Sequence, residues 1–247
     1  MRNIKLTIQY QGTRYNGWQV QRKQKTSKTI QAVIEQALKQ VLRENISIVG
    51  SGRTDSGVHA AAQVANFKTN TKLPLPQIKK AVNAVLPGDI AVRRVGQVPI
   101  EFHARFDATS KLYRYTILNA YEKTVFDRDY YYCCPYALDL GLMRKEAKAL
   151  VGKHDFKSFQ AAGKVEKNSV RTIHSIKITK KGSFLYFDLA ADGFLHKMVR
   201  SIVGTLIDIG RGRFSKGSMN RIIRAKNRKN AGETLPSKGL CLVEVKY

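Results

Sequence analysis

Residues 50–57 are the part of the sequence best suited to chemistry. They read Gly-Ser-Gly-Arg-Thr-Asp-Ser-Gly, so Asp55 lies in a glycine-flanked turn, two residues after Arg53. A carboxylate in such a turn can act as a general base or as a nucleophile. It can also do no more than accept a backbone N–H in an Asx-turn, and the residue pattern alone leaves both interpretations open.

The same segment does not match the patterns of phosphate-binding loops. It contains neither G-x-x-x-x-G-K-[ST] nor G-x-G-x-x-G. Its flanking residues predict two strands, whereas a phosphate loop would open a helix. The sequence therefore argues against a nucleotide-binding loop here.

The cysteines and histidines do not indicate a metal centre. Cys133 and Cys134 are adjacent and Cys241 is remote, so no C-x-x-C spacing occurs. The five histidines form no H-x-x-x-H or H-E-x-x-H group. We therefore predict no metal site.

A regular series of strands and helices is predicted to position Asp55. Alternating apolar and polar residues predict a strand over residues 3–10, and an apolar stripe over residues 30–42 predicts a helix. The following elements complete the order β-α-β-β-α-β: strands at 46–49 and 63–68, a helix at 76–86 and a strand at 90–98. Asp55 then lies in the turn between the second and third strands.

The second half of the chain repeats this order. Its predicted elements are a strand at 112–118, a helix at 138–150, strands at 171–179 and 184–190, a helix at 195–209 and a strand at 240–245. Two such runs predict an α+β fold of two ferredoxin-like βαββαβ halves, with antiparallel or mixed sheets that flank a basic cleft. The predicted halves are residues 1–108, which carry the Asp55 loop, and residues 109–247, which complete the cleft.

The charge balance indicates an anionic partner. Lys and Arg number 44 against 18 Asp and Glu, which gives a formal net charge of +26 over 247 residues. Such a surface favours nucleic acids, because phosphate contacts release condensed counterions, although some basic proteins are merely soluble. No apolar run approaches the roughly 18 to 20 residues of a membrane span. The first residues lack a signal-peptide apolar region, so we expect a cytoplasmic protein with no membrane partner.

Several spaced blocks of the sequence resemble the bacterial tRNA pseudouridine synthase A family. Residues 52–60, which read GRTDSGVHA, are similar to its signature G-R-T-D-x-G-V-H-A. Further blocks follow in the family's order: residues 102–106, 113–115, 154–156, 170–173 and 193–204. The resemblance spans nearly the whole chain. It departs modestly from the family pattern, with Ser56 where Ala is common and Ser201 where Asn is common.

The resemblance implies an isomerase with the pseudouridine synthase fold, which converts uridine to pseudouridine in the anticodon stem-loop of tRNA, at family positions 38, 39 and 40. Asp55 matches the catalytic carboxylate, and attack on C6, attack on C1′ and proton abstraction at C2′ all remain open. Tyr113, Arg53 and Arg200 match substrate-binding residues: a tyrosine that stacks on the uracil, an arginine linked to base extrusion and an arginine that pairs with the carboxylate. The resemblance further implies a homodimer that binds tRNA and uses no cofactor.

Two of these residues also have plain structural interpretations. Tyr113 and Tyr115 share one face of a strand, as core residues do. Arg200 lies off the apolar stripe of its predicted helix, where it can simply be solvated, and Gly204 of that helix is predicted to permit a close backbone approach. For the whole chain, the alternative is a non-catalytic RNA-binding protein, although no RNP1-like run occurs.

Overall fold

The computed structural model describes residues 1–20, 28–122, 124–161 and 168–247. Two compact units are distinguished in it: residues 1–109 together with 241–247, and residues 110–240. Both combine helices with mostly antiparallel strands, which confirms the predicted α+β class. Among the described residues, no helix combines the length and the apolar composition that crossing a membrane requires.

The first unit is built on strand β1, Arg2–Tyr10, which pairs antiparallel with two neighbours. The other strands of this unit are β2 at Val49–Gly50, β3 at His59–Thr69, β4 at Ile90–Val98 and the C-terminal strand β10 at Leu240–Lys246. β3 and β4 flank β1, and β3 also pairs with β2 and, in parallel, with β10. Ile4, Leu6 and Ile8 of β1 are fully buried, as a period of two predicts.

Helix α1, Ile30–Leu42, has the bounds that its apolar stripe predicts. It begins where the Thr29 hydroxyl accepts the N–H of Ala32, and it ends at Arg43, whose φ is 57°. Helix α2, Leu75–Val85, starts with proline in its first turn. The apolar stripe of α1 is its buried side, so local periodicity was sufficient to place it, whereas α2 was predicted from the prolines at its two ends.

The second unit has antiparallel strands in the order β5-β9-β8-β7. The strands are β5 at Ser110–Leu118, β6 at Tyr132–Cys133, β7 at Gly152–Asp155, β8 at Val170–Lys181 and β9 at Phe184–Ala191. β6 pairs in parallel with β5. The helices are α3 at Leu140–Ala147, α4 at Met198–Gly210 and α5 at Ser218–Ala225.

The element order of the second half differs from the prediction in two ways. β6, β7 and α5 were not predicted from the sequence pattern. In addition, residues 241–247 group with the first unit, whereas the predicted second half was residues 109–247. The physical reason is that β10 pairs with β3 of the first unit, a contact between distant parts of the chain that local periodicity does not reveal.

Candidate active site

Asp55 lies in the loop between β2 and β3. Its side chain is half-buried and that of Arg53 is exposed, whereas Thr54 between them is only 6% exposed. The N–H of Val58 donates to the Asp55 carbonyl oxygen at 3.2 Å, and Gly57 completes the turn with a φ of +77°. The loop thus buries its middle residue and leaves the two charged neighbours accessible.

Thr54 is the residue that fixes this loop. The hydroxyls of Thr54 and Tyr10 are 2.8 Å apart, and the Thr54 carbonyl accepts the N–H of Trp18 at 3.0 Å. Burial raises the pKa of the Tyr10 phenol well above its usual range, despite hydrogen bonds with Thr54 and Gln63 that act in the other direction. A phenol is already neutral at physiological pH, and burial strengthens that preference, so the hydroxyl remains available for this contact.

The segment 15–18 connects the Asp55 loop to α1. The first N–H groups of that helix, on Ile30 and Gln31, donate to the carbonyls of Gly17 and Trp18. A Cβ on Gly17 would lie 2.5 Å from the Thr54 carbonyl oxygen, and Gly17 has a φ of +83°. Only glycine permits this approach, so the segment is tied to the helix on one side and to the Asp55 loop on the other.

The amino-terminal side of the loop is fixed by a buried glutamine. Gln63 of β3 accepts the Ser51 hydroxyl at 2.6 Å and donates to the Gly52 carbonyl at 2.9 Å. Ser51 and Gln63 are both fully buried. Contacts on both sides of Asp55 therefore hold the backbone that carries its carboxylate.

Tyr113 lies on β5, opposite Leu189 of β9. It is 8% exposed, and its ring forms a T-shaped pair with that of Phe194, with a centroid distance of 5.3 Å. Tyr115 on the same face is fully buried, as the strand period predicts. Tyr113 thus forms part of a packed aromatic surface.

Arg200 lies in the first turn of α4 and is half-buried. Its Nε donates to the carbonyl of Leu235 at 2.6 Å, and the N–H of Leu235 donates to the Arg200 carbonyl at 3.4 Å. Next to it, the Tyr115 hydroxyl donates to the Pro236 carbonyl at 2.7 Å. Burial raises the pKa of Tyr115, and the positive charge of Arg200 opposes that rise.

We call residues 231–236 the α4 strap, because they run along α4 and hold Arg200. The Thr205 hydroxyl accepts the N–H of Gly232 at 2.8 Å, and the hydroxyls of Ser201 and Thr234 are 2.9 Å apart. A Cβ on Gly204 would lie 1.9 Å from the Glu233 carbonyl oxygen. The predicted close backbone approach at Gly204 is therefore confirmed.

The four residues singled out in the sequence divide between the units. Asp55 and Arg53 belong to the first unit, and Tyr113 and Arg200 belong to the second. Sequence reasoning missed the residues that position them, which are Tyr10, Thr54, Gln63, Phe194, Leu235 and Pro236. Thr54 and Phe194 lie inside the family blocks and could have been found there, whereas Tyr10 and Gln63 carry no local signal beyond a buried strand position.

Comparison with known proteins extends these observations to the whole chain. Residues 6–107 and 147–247 match the family described as tRNA pseudouridine synthase. These segments contain the Asp55 loop and the α4 strap, and Tyr113 lies between them.

Relatives that match this chain over nearly their full length are named tRNA pseudouridine synthase A or A 2. The chain is 48% identical over 247 residues to tRNA pseudouridine synthase A 2 of Clostridium perfringens, with both chains covered completely. It is 42% identical over 247 residues to tRNA pseudouridine synthase A of Clostridium acetobutylicum, again over the whole of both chains. It is 45% identical to the protein of the same name from Citrifermentans bemidjiense, over all of this chain and 98% of the relative.

Proposed function

The chain belongs to the tRNA pseudouridine synthase family, a family of isomerases, and from that membership we propose that it converts uridine to pseudouridine in the anticodon stem-loop of tRNA, at family positions 38, 39 and 40. The observation that carries the proposal is the Asp55 loop. Asp55 is half-buried, while the residues on both sides of it are held by buried hydrogen bonds.

The proposed reaction exchanges one bond to the ribose for another. The C1′–N1 bond breaks, a C1′–C5 bond forms, C5 loses its proton and N1 ends with one. Atoms and electrons therefore balance within the nucleotide, and the reaction requires neither a redox partner nor an energy source. A single carboxylate is sufficient to start the exchange, and we assign this role to Asp55.

The fixed loop contributes to the reaction by positioning. Because Thr54, Gly52 and Val58 are all held through hydrogen bonds, little conformational freedom is lost when substrate binds. We assign substrate binding to Arg53, Tyr113 and Arg200. The exposed guanidinium of Arg53 can stack in the gap that an extruded base leaves, an extrusion that costs a few kcal/mol.

The substitution Asp55→Asn tests the proposal. We expect C5-tritium release from labelled tRNA to fall by at least about 10²- to 10⁴-fold, because the amide can neither accept the proton nor act as a nucleophile. The affinity for tRNA should be retained. Glu244→Gln is the matched control, since it exchanges an accessible carboxylate of the same unit for an amide.

Two outcomes would contradict the proposal. Normal tritium release by Asp55→Asn would remove the carboxylate from the mechanism. RNA binding by a wild-type protein that releases no tritium would favour the non-catalytic RNA-binding alternative. Mapping pseudouridines in tRNA from cells with and without this gene would test the anticodon-stem assignment.

We also propose that the protein acts in the cytoplasm as a homodimer. We infer the homodimer from the family resemblance and the cytoplasmic location from the sequence pattern. Light scattering that gives the mass of one 27.8 kDa chain at working concentrations would refute the dimer.

A further inference from the structure

Phe106 is an exposed aromatic residue for which the fold gives no reason. It lies in the turn that follows β4, and 75% of its surface is accessible. Exposure of a phenyl ring forgoes the stabilisation that its burial would give. A ring held in this way at a defined place is available for contact with another molecule.

The turn that carries Phe106 is closed by two side chains. The Nδ1 atom of His103 accepts the N–H groups of Arg105 and Phe106, each at 3.2 Å. The carboxylate of Asp107 accepts the N–H of His103 at 2.9 Å, and the N–H of Asp107 donates to the His103 carbonyl at 3.1 Å. Residues 103–107 are therefore ordered by their own hydrogen bonds.

Buried contacts anchor the turn to the sheet of the first unit. Ala104 is fully buried, and its N–H donates to Asn66 Oδ1 at 2.9 Å, while its carbonyl accepts the Tyr247 hydroxyl at 2.8 Å. Asn66 is itself bonded to Asn3 at 3.0 Å, and both asparagines are buried. The turn thus moves with the strands, so a partner that binds it meets a preformed surface.

The Phe106 ring is already part of a stack. It lies nearly parallel to the His103 imidazole, with centroids 4.2 Å apart and an interplanar angle of 23°. The guanidinium of Arg105 is 5.8 Å from the ring centroid. In the described part of the chain Arg105 has no carboxylate within salt-bridge distance, so its charge is available to an anion.

We propose that His103, Arg105 and Phe106 form a stacking site for an unpaired nucleobase of the RNA substrate. An aromatic face suits any base, and a neighbouring guanidinium suits the phosphate attached to it. The net charge of +26 favours a polyanion such as RNA over an apolar protein surface. This site rests on the proposed action on RNA, but it lies outside the Asp55 loop.

The test compares substitutions at Phe106 that separate the effect of aromatic stacking from the effect of side-chain size. The probes are an unmodified tRNA transcript, its anticodon stem-loop hairpin and a fully paired RNA duplex. We expect Phe106→Ala and Phe106→Leu to weaken binding of the transcript by about 5- to 150-fold, because stacking on the ring is lost. Phe106→Tyr should bind like the wild type. The duplex, which has no unpaired base, should bind equally to all four proteins.

Two further measurements identify the contact. Phe106→Trp places a second, exposed tryptophan in a chain whose own Trp18 is 2% exposed, so its fluorescence should be quenched when the transcript binds. Arg105→Ala should lower the salt dependence of binding, log Kd against log salt, by about 0.7 to 0.9, whereas Phe106→Ala should leave that slope unchanged. Phe126→Ala, which removes a 79% exposed ring from the other unit, is the control. It should change neither the affinity for the transcript nor the salt dependence of binding.

The outcomes separate this inference from the proposed function. If the wild type binds the transcript and Phe106→Ala or Phe106→Leu binds it equally well, the stacking site is refuted while the enzyme assignment stands. If Phe106→Ala instead changes the oligomeric mass, the ring contacts protein and the inference is also refuted. Loss of tritium release in Asp55→Asn, with normal RNA affinity, leaves the stacking test unaffected.

Discussion

At the scale of single residues, the Asp55 loop alternates charged residues with a buried residue that holds the backbone in place. Arg53 is exposed and Asp55 is half-buried, whereas Thr54 between them is buried and bonded to Tyr10 and to the backbone of Trp18. Alternation of this kind lets one tripeptide serve both purposes. If Asp55 has the role we propose, Thr54 is a positioning residue whose effect on the reaction passes through Asp55.

A double-mutant cycle between Thr54 and Tyr10 tests whether their contact stabilises the loop. Thr54→Val alone should lower the free energy of unfolding by about 1 kcal/mol, because it removes one hydrogen bond from a buried phenol. Tyr10→Phe alone should act similarly, and the double variant should lose less than the sum. Urea unfolding of the four proteins gives the coupling, and a value near zero would show that the contact contributes nothing.

At the scale of elements, the α4 strap determines where Arg200 points. Its Nε is bonded to the Leu235 carbonyl, so the position of the guanidinium depends on how closely the strap approaches the helix. That approach depends in turn on Gly204, whose missing side chain leaves space for the Glu233 carbonyl. The helix and the strap therefore act together as the support for Arg200.

Gly204→Ala should disrupt this support. The added Cβ would lie 1.9 Å from the Glu233 carbonyl oxygen, so the strap must shift, at a cost of about 1 to 3 kcal/mol in stability. Tritium release should fall as Arg200 loses its contact with Leu235. Gly88→Ala is the control, because a Cβ there meets nothing within 4 Å. Alanine usually stabilises a helix relative to glycine, so a stabilised Gly204→Ala variant would contradict this account.

At the scale of the whole molecule, the dominant property is charge. The chain has 44 basic and 18 acidic residues, and both units contribute to the excess of positive charge. Specific recognition of uridine needs only a few residues, so we expect most of these cations to serve the sequence-independent attraction to phosphate. Affinity for tRNA should consequently respond strongly to ionic strength.

This response is measurable. If six to ten phosphates are contacted, tRNA affinity should fall by about 10³- to 10⁵-fold between about 50 and 200 mM salt. The measurement is a set of equilibrium titrations with Asp55→Asn, which does not consume the substrate. An affinity independent of salt would show that the basic residues do not contact the RNA.

The sequence by itself determined the features that depend on neighbours along the chain. The helix at Ile30–Leu42 and the strand at Ile90–Val98 have the predicted bounds, because the period of their apolar residues is a local property. The Asp55 loop was found in the same way, since its residues are consecutive and match a family signature. The sequence also indicated that Gly204 would permit a close backbone approach, because it lies on an apolar helix.

Only the tertiary structure decided which distant residues support one another. β10 joins β3 of the first unit, and α5 is capped by Glu146, which accepts the N–H groups of Gly217 and Met219 over a separation of more than 70 residues. The bonds of Thr54 to Tyr10 and of Arg200 to Leu235 have the same character. Such contacts depend on which surfaces meet after folding, and no periodicity in the sequence encodes that choice.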